Sequence, residues 1–356
     1  MARVTLQTIA DHVGVSRMTV SNAFSRPDQL SATLRTKVLA AAAELGYVGP
    51  DPAARALARG TTGAVGVLLT GSLRYAFTDE VATTFLGAIV DELAPTGLAL
   101  TLLPAVTRTD VAAAQQVAVD GALIYSCDPG LPALDVLRRR QIPMVYVDQE
   151  PDGDTPSVNI DDRAGARAAA QHLVDLGHRD IGIMTVSLAG PHGVPLTDVE
   201  PPAGDGYVST QRLLGWRDAL DPVGVRPLVV RQPHCHVDEA YDGARALLDR
   251  DHPPTAVLCF SDAIAQGLVA AAEDLGLRVP ADLSVVGFDD NPLARRMRPA
   301  LTTVRQDVEA KGHAAAAALT AAIERARTGA SDRVASVNLP IDLLVRESTA
   351  APPVRA

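Results

Sequence analysis

Residues 5–24 read TLQTIADHVGVSRMTVSNAF, and the reading turns on Gly14. Thr5 is an N-cap for a helix through Val13, in which Ile9, Ala10 and Val13 share one face. Gly14 ends that helix, because a sharp turn needs a residue that tolerates positive φ. Ser16 caps a second helix, Arg17 to Phe24, with Val20, Ala23 and Phe24 inward, and Pro27 closes it. Ser31 caps a third helix with an apolar stripe of Leu34, Val38, Leu39, Ala42 and Leu45, stopped by Gly46. Helix, glycine turn, helix is the layout in which the second helix enters the major groove of DNA. The same pattern also fits a three-helix miniature bundle that touches no DNA.

The outer side of the second helix favours DNA. Ser16, Arg17, Met18 and Thr19 are followed on that side by Ser21 and Asn22. Arg pairs bidentately with guanine and Asn with adenine, while hydroxyls hold phosphates. Beyond the bundle, residues 49–60 read GPDPAARALARG. This is a proline-rich break followed by a helix former too short to be stable alone, and it reads as a plain linker or as a helix awaiting support.

Charge supports a division of labour. The chain has 356 residues and a formal net charge of −10. Residues 1–60 hold seven basic groups (Arg3, Arg17, Arg26, Arg35, Lys37, Arg55, Arg59) against four acidic ones (Asp11, Asp28, Glu44, Asp51), which gives +3 and leaves −13 for the remainder. A basic end on an acidic body confines phosphate contact to the first segment.

From Thr61 the pattern changes to short apolar runs separated by helical stretches. Ala64–Leu69, Leu98–Leu103, Gly121–Tyr125 and Met144–Val147 read as buried strands, as do Ile181–Thr185, Val225–Arg231, Ala256–Phe260 and Leu283–Gly287. Alternating strands and helices imply parallel sheets covered on both faces, with ligands beyond the carboxyl ends of the strands. Hydrophobic residues make up 47% of the chain and aromatic ones 3%, which also favours α/β over a β-sandwich.

Several classes are excluded. No apolar run reaches membrane-spanning length, and the N-terminus lacks the apolar core of a signal peptide, so a cytoplasmic protein without membrane contact is expected. Cys127, Cys235 and Cys259 have no CxxC spacing. His234-Cys235-His236 offers two imidazoles and a thiol without a fourth ligand, so no metal is expected there. No GxSxG, Walker-type or GxGxxG motif is present, so neither enzyme chemistry nor a cofactor is implied. A transport-type solute-binding protein would share the α/β cleft but not the basic headpiece.

The chain resembles the lactose-repressor (LacI/GalR) family through residues 4–24 and 31–60, then LVDLGHRDIGIM (173–184), QRLLGWRDAL (211–220), FSDAIAQGLVAAAEDLGLRVPADLSVVGFDD (260–290) and PALTTVRQD (299–307), in family order. The resemblance implies a helix-turn-helix headpiece at 1–48, a hinge helix at 49–60, and a type I periplasmic-binding-protein-like effector and dimerisation domain at 61–350. Two subdomains are implied, about 61–160 with 290–320 and about 161–289 with 321–346. It further implies a repressor that binds a near-palindromic operator as a homodimer, released or engaged by a small effector. Thr5, Ser16, Arg17, Met18, Thr19, Ser21 and Asn22 are the expected DNA contacts, with Arg55 holding a phosphate or reaching the groove and Leu57 wedged into the minor groove, the alternative for Leu57 being a buried hinge-packing residue. Asn22 stands where some members carry a basic residue, so their operator sequences cannot be carried over.

For the effector, residues at strand ends are the candidates: Ser72, Tyr75, Phe77, Asp79, Asp148, Arg212, Ser261, Asp262 and Asp289. Arg212 matches the family position that grips the effector. A guanidinium among carboxylates suits a polyhydroxyl ligand, a sugar first. A purine or nucleoside is second and would suit Tyr75 and Phe77. Asp262 and Asp289 also read as helix caps, and Asp161-Asp162 are expected to cap the next helix. His178 reads as a helix-to-strand turn residue. Residues 187–206 form a lid or a plain surface insertion. No leucine heptad follows residue 345, so a dimer without a tetramerisation helix is expected.

Overall fold

The computed structural model describes residues 4–49, 51–70, 73–105, 109–126, 130–150, 152–187, 190–197, 200–202 and 205–354. Arg3, Pro50, Ser72 and Cys127 lie outside the described residues, as does the side chain of Tyr75. The chain forms two compact units, residues 1–63 and 64–356.

In the first unit, helices Leu6–Val13, Arg17–Ser25 and Ala32–Glu44 pack around Ile9, Ala10, Val13, Val20, Ala23, Val38, Ala41 and Ala42. Their starts follow from side-chain caps. Thr5 accepts from the Thr8 amide at 3.3 Å, Ser16 from Thr19 at 3.0 Å and Ser31 from Leu34 at 3.3 Å. Gly14 makes the tight turn with φ 77°, a conformation costly for any residue with a Cβ. Phe24 and Tyr47 close one edge of this small core, ring to edge at 5.6 Å. A further helix spans Pro52–Arg59, its amide at Ala54 facing the Asp51 carboxylate at 3.5 Å.

The second unit contains two sheets. The first is wholly parallel, in the order Val337–Leu339, Ser157–Ile160, Met144–Val147, Gly121–Tyr125, Ala64–Thr70, Ala99–Ala105. The second runs Ile341–Leu344, Thr302–Gln306, Ser284–Asp289, Ala256–Cys259, Ile181–Val186, Leu228–Gln232, Pro195–Leu196. Only its two outer strands are antiparallel to their neighbours. Each sheet has a buried apolar layer on both faces, which is why the strands read as unbroken hydrophobic runs.

The chain crosses between sheets after Ile160, after Gln306 and at Pro340. This differs from crossings near 290 and 320. Thr302–Gln306 pairs with Ser284–Asp289 in the second sheet, and helix Val308–Thr328 covers the first sheet together with helix Glu80–Leu93. Those two helices touch closely, since a Cβ on Gly312 would stand 2.8 Å from the Phe85 carbonyl oxygen. In the second subdomain, helices Asp162–Asp175 and Tyr207–Leu220 make a similar approach at Gly215, where a Cβ would lie 2.2 Å from the Arg163 carbonyl oxygen. That contact fixes the helix that carries Arg212.

Residues 187–206 include an edge strand. Pro195–Leu196 pairs antiparallel with Leu228–Gln232, and Arg217 holds Glu200 at 2.6 Å. His178 is fully buried and contacts Thr255 Oγ1 at 2.9 Å, Ser284 Oγ at 3.1 Å and the Ala350 carbonyl at 2.9 Å. It therefore ties the helix-to-strand turn to the C-terminal tail, and burial lowers its pKa.

Candidate functional site

Two surfaces collect the residues singled out above. In the first unit, the start of helix Arg17–Ser25 presents Arg17 and Met18 to solvent, and Met18 is 73% exposed. Ser16 and Thr19 are engaged with each other, Oγ to Oγ1 at 2.8 Å, which holds the helix N-terminus. Asn22 donates to Gln29 Oε1 at 3.2 Å, so its amide is pre-positioned by a residue absent from the sequence reading. In helix Pro52–Arg59, Arg55 is exposed and Leu57 is 87% exposed. A leucine so placed on a helix of eight residues is an apolar surface without a core beneath it.

In the second unit, a cavity of about 200 Å³ opens between the carboxyl ends of the two sheets. The first sheet supplies Leu69, Tyr125, Ser126 and Asp148, and the second supplies Phe260, Ser261, Asp289 and Gln306. Asp79, Cys235 and Arg212 complete the polar wall. Ser126, Asp148 and Asp289 all have positive φ, at 47°, 52° and 113°. Non-glycine residues take such angles at a cost, and three of them around one cavity mark a built site.

Arg212 is the hub. It is 3% exposed and lies 3.5 Å from the Phe288 ring centroid and 4.5 Å from that of Phe260. Its Nε donates to Asp162 at 2.8 Å, Nη2 faces Asp289 at 3.6 Å, and Nη1 donates to the Phe260 carbonyl. Burial alone would lower its pKa, but the Asp162 and Asp289 carboxylates outweigh burial and hold it charged. Asp162 is thus the ion partner of Arg212 and not a cap; Asp161 alone caps the helix, accepting from Ala164 at 2.9 Å.

The other carboxylates differ. Asp148 is held by Lys311 Nζ at 2.7 and 2.8 Å, and both side chains are buried. Asp79 caps helix Glu80–Leu93 through Ala82 at 2.8 Å while lining the cavity. Asp289 accepts from Gln306 Nε2 at 2.6 Å, and burial pushes its carboxyl up to about 7 despite Arg212. Burial likewise pushes the Cys235 thiol up to about 12 and raises Tyr125 well above the ordinary phenol range.

Asp79, Asp148, Arg212, Ser261 and Asp289 therefore meet at the cavity. Asp262 does not. Its Oδ1 accepts from Thr303 at 2.6 Å and its Oδ2 from the Asn291 amide at 3.0 Å, which makes it a brace between strand ends. Ser261 is the cap, accepting from Ile264 at 3.2 Å. Phe77 is 65% exposed and is not among the residues that line the cavity. The aromatic side chains that line the cavity are instead Tyr125, which stacks on Phe85 at 4.6 Å, and Phe260. Tyr125, Gln306 and Lys311 were missed by sequence reasoning. Lys311 carried a signal, as a lone lysine in the alanine-rich run EAKGHAAAAAL.

Comparison with known proteins settles the family. Residues 5–49 match the model of bacterial regulatory proteins of the lacI family, and residues 170–349 match the periplasmic binding protein-like domain. The HTH-type transcriptional regulator IpsA of Corynebacterium glutamicum is 38% identical over 332 residues, 90% of this chain and 92% of its own. The chain belongs to the lacI family. Two solved members share the fold of this regulator over nearly its whole length. The lac repressor dimer bound to operator and the anti-inducer ONPF has a TM-score of 0.77 at 26% identity, covering 98% of this chain and 100% of its own. The transcriptional regulator CelR in complex with cellobiose has a TM-score of 0.68 at 29% identity, covering 97% and 100%. This LacI-family chain is a DNA-binding transcriptional regulator, and no helix among its described residues is long and apolar enough to cross a membrane.

Proposed function

We propose that this regulator is a non-enzymatic repressor that binds a near-palindromic operator as a homodimer and is controlled by a sugar-like effector in the cavity. The observation that carries the effector reading is Arg212, clamped between two carboxylates and two rings at the meeting point of both sheets. Asp79, Asp148 and Asp289 accept hydroxyl donors, while Arg212 and Ser261 donate to ring and hydroxyl oxygens. A polyol presents many such groups on a small frame, and about 200 Å³ suits a monosaccharide better than a nucleoside. The exposed position of Phe77 removes one of the two rings that favoured a purine. The cellobiose held by CelR is of the same chemical class.

For DNA, Arg17 reads guanine, Met18 offers apolar contact to a thymine methyl, and Thr5, Ser16, Thr19, Ser21 and Asn22 hold backbone or base edges. Arg55 and the exposed Leu57 act at the minor groove, where leucine unstacks a base step. Hinge helices become stable when two copies meet on the operator, and effector binding shifts the subdomains against that pairing.

Titration calorimetry of the full chain with a panel of mono- and disaccharides, polyols and nucleosides tests the effector class. Saturable binding of one sugar or polyol, weakened at least about 10-fold in Ser261→Ala, is the expected result. Binding of nucleosides alone would contradict it.

A further inference from the structure

The loop that follows strand Leu228–Gln232 carries His234, Cys235 and His236, and His236 is the N-cap of helix Val237–Leu248. Its side chain makes no capping bond. Glu239 is the third residue of that helix, and an N-cap and the third helical position lie on the same side of a first turn. The backbone therefore brings a carboxylate to two imidazoles that the sequence pattern left without it. His234 Nδ1 and Glu239 Oε1 are 3.1 Å apart, and the two imidazole rings are 5.3 Å apart between centroids. One ligand atom from each of His234, His236 and Glu239 lies within 4.8 Å of the others. The second carboxylate oxygen, Glu239 Oε2, is cut off from solvent and has no hydrogen-bond partner among the described residues.

We infer that His234, His236 and Glu239 bind a divalent transition-metal cation of the zinc class. A buried carboxylate oxygen without a partner costs free energy that a cation recovers. Two imidazoles and a carboxylate are a borderline donor set that suits zinc and disfavours calcium or magnesium, which take oxygen ligands. Zinc bonds to nitrogen and carboxylate oxygen at about 2.0–2.2 Å in a tetrahedron, so donors sit roughly 3.3 Å apart. One pair is already at that spacing, and closing the other two takes only side-chain rotation at half-exposed positions. Water fills the fourth position. Cys235 is not among the three donors and forms part of the cavity wall. An ion on its two neighbours would fix that stretch of wall.

The site is tested on the full, untagged chain by competition for Zn²⁺ against a chromophoric chelator. One ion per chain is expected. His236→Ala and His234→Asn should each raise Kd by at least about 10-fold, since even loss of outer partners of a metal ligand costs 10–100-fold. Glu239→Gln, which keeps the side chain's shape, should do the same, and His252→Ala should change nothing. The Co²⁺ absorption spectrum of the unaltered protein reads the donor set even where a variant fails to fold. Intense tetrahedral bands without thiolate charge transfer support the assignment. A thiolate band, unchanged Kd in all three variants, or no saturable binding would overturn it.

Discussion

The helix-turn-helix unit and the cavity between the two sheets solve opposite problems. In the headpiece, the side chains assigned to DNA stand outside the core: Met18 and Leu57 are 73% and 87% exposed, while Ile9, Val20 and Val38 do the packing. In the cavity, the charged groups are themselves the packing, with Arg212 at 3% exposure and Lys311 at 1%. A surface reader can change its specificity without touching its fold. A buried charge cluster cannot, because removing one member leaves the others desolvated and unpaired.

The sharpest way to break this comparison is Arg212→Ala. Asp162 and Asp289 would lose their counter-ion, and a loss of about 3–5 kcal/mol in urea unfolding is expected. An effect below about 1 kcal/mol would show that Arg212 is an ordinary surface-like group and break the contrast. Arg17→Ala should do the reverse. Tm should stay within the error of the measurement, while discrimination between operator and random DNA falls by about 1–3 kcal/mol. An unchanged ratio of specific to non-specific binding would remove Arg17 from the reading surface.

The smallest expected effect concerns pH. Asp289 is held at about 7 in the folded chain, against about 4 when unfolded. The unfolded chain therefore releases that proton first as pH rises. Its contribution to stability is full below about pH 4 and is lost by about pH 7. His178 acts in the other direction, since its lowered pKa costs stability as pH falls below about 6.5. Asp289→Asn removes only the first contribution, so its stability relative to the parent chain should rise between about pH 5 and 7. A difference independent of pH would show that Asp289 is ionised throughout.

The same contrast explains what was legible in the sequence. Headpiece elements are local: Ser16, Gly14 and the Ile9–Val13 spacing act within a few residues, and the helices stand where those signals put them. The central strands were legible as apolar runs. Ser157–Ile160 and Thr302–Gln306 were not, because they are short and carry polar residues, Asn159 and Thr303, whose amide and hydroxyl are buried in hydrogen bonds, and Val337–Leu339 is only three residues long. Missing them displaced the subdomain crossings. The cavity was legible as a place, from strand ends, but not as a network. Lys311 and Asp148 are 163 positions apart, and nothing local ties them. Asp161 and Asp162 look alike in sequence, and only the packing of helix Tyr207–Leu220 decides which one faces Arg212.

In the proposed function, one chain couples an exposed DNA reader to a buried effector cavity. Fluorescence anisotropy on genomic fragments around the gene, across a salt series and with the sugar panel, tests it most directly. Tight, steeply salt-dependent binding to one near-palindromic fragment, altered by one compound, is the result predicted. Binding no better than to random DNA, with or without any compound, would contradict it.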